Sequence, residues 1–122
     1  MSERVQNRRG KPRVDTNLPA KVTAADGGFE ATVKNMSMSG LLLTSNRPIP
    51  EMTILGMRLS LPARPDRRSP AYAFELTGAV VRSEPCREEP DQYEIAVFLT
   101  DMARESRSAL QSFIEERLAG ID

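Results

Sequence analysis

Arg8, Arg9 and Arg13 stand close together in RRGKPR, and Asn35, Ser37 and Gly40 stand in a second short stretch, NMSMSG. These residue types suit one kind of chemistry. A guanidinium is a planar fork that makes paired bonds to phosphate oxygens. It also matches the O6/N7 edge of guanine and stacks its flat face on a purine. Lysine offers only a point charge, so an arginine-rich pattern says more than basicity alone. Asn and Ser side chains hydrogen-bond a base edge or tie down a turn. A glycine permits positive φ or a close backbone approach where a Cβ would clash. Each feature also has a plainer reading. The arginines read as a solvated basic tail, Ser37 and Ser39 as turn caps, Asn35 as an Asx-turn residue and Gly40 as a bulge glycine.

Composition removes other chemistries. The chain has no His and one cysteine, Cys86, so it forms no internal disulfide, no Cys/His zinc site and no Ser-His or Cys-His pair. Cys86 lies in the polar loop EPCREEP and reads as a spare thiol, while Glu88, Glu89 and Asp91 are loop carboxylates with no catalytic partner. An enzyme is not expected. The 17 basic and 17 acidic residues cancel, so global charge favours no partner. Locally, residues 1–13 carry Arg4, Arg8, Arg9, Lys11 and Arg13 against Glu3 alone, a cluster that attracts phosphates. No apolar run is long enough to cross a bilayer, and the charged N-terminus has no hydrophobic segment, so no signal peptide and a cytoplasmic location are expected.

The elements that must position these residues follow from periodicity. At 122 residues the chain fits one domain. Residues 1–13 lack periodicity and read as a mobile tail, with the domain proper over 14–122. Short strands are expected at 20–25, 29–34, 40–44, 54–62, 72–83 and 92–100, with a turn at Asp26-Gly27-Gly28. Gly78 inside the fifth strand signals a bulge or a barrel corner. Leu110, Phe113, Ile114 and Leu118 then change the period to that of a helix, expected over 103–119 with Asp101 as N-cap and Gly120 as its stop. The methionines, Met36, Met38, Met52, Met57 and Met102, read as core or rim filling, and the aromatics fall mostly on core parity. The fold class is all-β with one helix: a six-stranded antiparallel barrel or sandwich whose C-terminal helix covers an open end.

Arg9 to Arg13 spells RxxxR, and Asn35, Ser37 and Gly40 spell NxSxxG. The pair, in this order and spacing, resembles the PilZ domain family, as do ELTGAVVRS and the last strand and helix from YEIAVF onward. The resemblance implies a six-stranded barrel that binds the bacterial second messenger cyclic di-GMP and acts as a receptor and adaptor in signalling. It places Arg9 and Arg13 on phosphate and guanine, and Asn35, Ser37 and Gly40 around a guanine. Arg8, just before the motif, goes in the family with an intercalated ligand dimer, so two ligands per domain are expected. Residues 4–13 are expected to order over the ligand, creating a surface that a separate effector reads in trans. Nothing in the chain names that effector. This sequence departs from the family at Gly10-Lys11-Pro12, where a bulky residue is frequent, and at Ala96, where a Gly is frequent. Arg64, Arg67 and Arg68 fall in a loop read as solvated. Two other readings compete. One is a protein–protein adaptor that has lost its ligand. The other is a single-stranded nucleic-acid-binding barrel, which the scarcity of exposed aromatic platforms disfavours.

Overall fold

The computed structural model describes residues 12–25, 27–61 and 72–119. Six strands follow in order: β1 (Val14–Ala24), β2 (Gly27–Met36), β3 (Gly40–Ser45), β4 (Ile54–Leu61), β5 (Tyr72–Pro85) and β6 (Tyr93–Met102), and then helix α1 (Arg104–Leu118). The strands close into an antiparallel barrel in the order β1-β2-β3-β6-β5-β4. Closure comes from β1 pairing with β4, Ala20 opposite Leu59 and Val22 opposite Met57, which leaves no open edge.

Period two fixes the inside. Val14, Thr16, Leu18, Ala20 and Val22 of β1 are buried and their neighbours are exposed. Val33, Leu43, Leu55, Leu59, Val80 and Ile95 are fully buried and fill the interior. β1 starts at Val14, six positions before the sequence places it, because two residues masked the alternation. Thr16 is polar yet points inward, donating its hydroxyl to the Val33 carbonyl at 2.7 Å. Pro19 lacks an N–H, but β4 pairs only with Ala20 to Thr23, so Pro19 lies where β1 has β2 alone.

The register breaks at defined places. Gly78 pairs with Leu99 while Thr77 pairs with Asp101, so the bulge expected near Gly78 is present, with Thr100 as the extra residue. A Cβ on Gly78 would lie 2.5 Å from Val97 Cγ1 and 2.8 Å from the Phe98 carbonyl, so β5 and β6 meet here only because the side chain is missing. A second bulge puts Lys34 between Val33–Leu43 and Asn35–Leu42, at the entrance to NMSMSG.

Helix α1 buries Leu110, Phe113 and Ile114 in the same cluster as the barrel interior and packs against β1 and β5. Its apolar stripe therefore joins the inside of the barrel. Three expectations are corrected. Asp101 is not the N-cap, because β6 runs on to pair Asp101 with Thr77 and Met102 with Leu76; Ala103 holds that position without a side-chain bond. Leu118 is exposed, and buried Ser106 takes the inward place one turn earlier in the stripe. Met52 is 77% exposed rather than filling the core. Gly120 lies outside the described residues.

Two glycines separate the packing effect from ordinary strand propensity. Gly78→Ala is expected to destabilise the fold by about 1–3 kcal/mol through overpacking. Gly56→Ala, whose new Cβ meets nothing closer than Thr23 Cβ at 4.0 Å, is expected to be near neutral. Urea denaturation of both variants measures the difference.

Candidate functional site

A hairpin brings together positions equidistant from its turn. β1 and β2 pair antiparallel from Ala24 opposite Gly27 outward, so Val14 faces Met36 and Asp15 faces Asn35. Arg13, one residue before β1, thereby reaches NMSMSG from 22 residues away: its Nε donates to Asn35 Oδ1 at 2.9 Å. Its Nη1 makes a longer contact with Ser37 Oγ, 3.5 Å. The two stretches that the sequence singles out thus touch. Arg13 was assigned to the tail, and the structure ties it to the barrel. Arg8 and Arg9 lie outside the described residues, as do Arg64, Arg67 and Arg68.

Ser37 is the hub of the turn and has no solvent exposure. Its N–H donates to the Gly40 carbonyl at 2.8 Å. Its Oγ accepts the Ser39 N–H at 3.2 Å and lies 3.3 Å from Ser39 Oγ and 3.4 Å from the Gly40 carbonyl. Of the two roles open to a serine here, tying down the turn is the one the geometry displays. Asn35 is half-buried; its Oδ1 accepts the Arg13 Nε–H, and its amide NH2 is left to donate elsewhere.

Gly40 resolves in a similar way. Its φ is not positive. A Cβ there would lie 2.8 Å from the Val97 carbonyl, so the glycine lets β3 close on β6. The Leu99 N–H then donates to the Ser39 carbonyl at 2.9 Å, extending that ladder past Gly40. A pattern alone could not separate this from close approach by a ligand.

Asp15 was not singled out by the sequence. As register partner of Asn35 it presents an exposed carboxylate beside that side chain, visible only once the hairpin register is known. An open cavity of about 470 Å³ lies nearby, lined by Asn17, Lys34, Thr44, Glu88, Glu89 and Gln92. Two carboxylates against one lysine make it unsuited to a phosphate. The same carboxylates act on Cys86. Burial first, then Glu94, Glu89 and Glu88, push its thiol above the usual range, against a smaller opposing pull from Lys34. Among the described residues no group of His, Cys, Asp and Glu is arranged to hold a metal ion, and no helix is long and apolar enough to cross a membrane.

Two outcomes follow from this geometry. Ser37→Ala strands the Ser39 N–H and is expected to cost about 1–3 kcal/mol of stability, whereas Asn35→Ala breaks one exposed pair and costs under about 1 kcal/mol; denaturant titrations compare them. Cys86, with less thiolate than a free cysteine at the same pH, is expected to react with iodoacetamide more slowly at pH 8. Its rate should still be climbing with pH where the model thiol has levelled off, as a stopped alkylation series would read.

Comparison with known proteins agrees with the fold. The structure is similar to the Bacillus subtilis inhibitor of motility (MotI/DgrA), with a TM-score of 0.77 at 14% identity over 90% of this chain and 51% of that one. The chain thus spans about half the length of that protein. The PilZ domain of YcgR from Escherichia coli, solved with c-di-GMP, gives 0.64 at 11% identity over 93% of both chains. The PilZ domain of CeSA from a cellulose-synthesizing bacterium gives 0.56 at 14% identity, over 84% of this chain and 94% of that one. At these identities the likeness concerns the fold. No curated protein matches the chain. The family model for the PilZ domain matches residues 7–116, from before Arg8 into the last turns of α1, and the chain belongs to the PilZ domain family.

Proposed function

We propose that this chain binds cyclic di-GMP between its RxxxR and NxSxxG motifs and transmits the bound state to a partner through a change in conformation. The observation that carries this reading is the Arg13–Asn35–Ser37 assembly, which joins the two motifs before any ligand is considered. A guanidinium already held by its Nε loses less freedom on meeting a phosphate or a guanine. The NH2 group of Asn35 suits the O6 or N7 acceptor of a guanine, and the Asp15 carboxylate suits its N1–H and N2–H donors. Ser37 acts through Arg13 and the turn, since its hydroxyl is enclosed. Arg8 and Arg9 supply further guanidinium groups, Arg8 to a second, intercalated ligand. The effector's response equals its difference in affinity for the two states.

Among the residues whose side chains are described, Phe98 is the one exposed aromatic, which is poor equipment for stacking a single strand. A ligand-independent adaptor remains the competing reading, favoured by how completely the turn satisfies its own polar groups.

Calorimetric titration of cyclic di-GMP into the wild type is expected to give micromolar or tighter binding with two ligands per chain. Arg9→Ala, Arg13→Ala and Asn35→Ala should each lose about tenfold or more, the worth of one hydrogen bond to a charged group. Arg8→Ala should reduce the stoichiometry to one. A silent wild-type titration would leave the adaptor reading in place.

A further inference from the structure

The outer wall of the barrel has two unlike halves. Outward positions of β1 and β2 are polar apart from Pro19 and Gly28: Asp15, Asn17, Lys21, Glu30 and Thr32 are among them. The outward positions of the other four strands are apolar over two neighbouring rows, Arg82 excepted. In one row Gly40 pairs with Phe98, Phe98 with Ala79 and Ala79 with Ile54. In the other, Leu42 pairs with Ala96 and Ala96 with Arg82, and Val81 is the extra residue of a bulge in β5 between Val80 and Arg82. Met52 completes that row. Its N–H donates to the Val80 carbonyl at 2.7 Å, and the Val80 N–H donates to the Thr53 carbonyl at 2.9 Å, so the ladder continues past Ile54 and places Met52 next to Val81. Met52 holds a left-handed φ of 72°, a strained conformation for a side chain of its size, and those bonds keep it there.

The sequence carries the same mark. GLLL, AVV and IAVFL are continuous apolar runs, the pattern of strands covered on both faces, where a strand with one wet face would alternate. Yet Met52, Ile54, Val81 and Phe98 are 77%, 59%, 53% and 54% exposed.

We propose that this wall is the interface of a homodimer, the same patch on both copies packed face to face about a two-fold axis. The area fits. Four such side chains offer roughly 100 Å² of apolar surface each. With Leu42, Ala79 and Ala96 the wall reaches roughly 500 Å², close to the apolar share, about 65%, of the roughly 800 Å² that each partner contributes to a standard interface. Charge also fits a second copy. The chain has zero formal net charge, and the ionised group within the rows, Arg82 opposite Ala96, pairs with Glu84 at 3.0 Å, one charge of each sign, which a two-fold axis can match to itself.

Sedimentation equilibrium of the whole chain without ligand, from micromolar to submillimolar concentration, tests this. The wild type is expected to sediment as a dimer. Phe98→Glu and Ile54→Lys, both exposed positions, are expected to weaken association by about thirtyfold or more with unchanged far-ultraviolet circular dichroism. Thr32→Glu on the polar wall should leave it intact. A wild type that stays monomeric throughout, or wall variants that dimerise as the wild type does, overturns the proposal. So does a monomeric wild type whose wall variants lose affinity for cyclic di-GMP, which would assign the wall to the ligand.

Discussion

Ser37 Oγ is closed off from solvent, and the polar groups around it depend on it. It receives the Ser39 N–H, lies against the Gly40 carbonyl and meets the Arg13 guanidinium. A buried polar group costs free energy unless it is answered, so this one hydroxyl fixes the shape of the turn and constrains what can approach it. Gly40 is held in place from the other side, because only a residue without a Cβ lets β3 close on the Val97 carbonyl. The turn is a rigid corner shared by β2, β3 and β6, and Arg13 is hung on that corner.

That corner exists because of the bulge before it. Lys34 is an extra residue between β2 and β3, and it shifts the alternation so that Asn35 comes to the outside while Met36 turns in and is fully buried. Without the insertion, strict alternation from Val33 would point Asn35 into the core. The bulge re-aims a side chain at the rim of a barrel, a common use of such irregularities. The barrel then presents a largely polar outer wall on β1 and β2 and two largely apolar outer rows across β3 to β6. Asn35 and its partner Leu42 sit on the border between them.

The NxSxxG stretch could be noticed in the sequence, but its internal division of labour could not. Ser37 and Gly40 looked like ligand residues and turn residues equally, since both roles use small polar side chains and missing Cβ atoms. Burial separates them. Asn35 keeps a usable NH2, Ser37 is enclosed and Gly40 answers a carbonyl of a strand more than fifty residues away in the chain. Asp15 escaped notice because an isolated Asp in a polar segment carries no signal until register places it opposite Asn35. Phe98 and Met52 escaped because apolar residues are ordinarily read as inward, and only parity within the closed barrel shows them facing out.

What the sequence by itself determined was local. Alternation set the strands and the change of period set the helix, because each reflects one face buried against a core. The spacing of arginines and the NxSxxG pattern set the family. Tertiary structure decided what depends on distant partners: that β1 begins at Val14, that Asp101 belongs to β6, that Arg13 leaves the tail and bonds to Asn35, and which wall of the barrel is apolar. These follow from hairpin register and barrel closure. Such constraints join residues far apart in the chain, and no short window of sequence contains them.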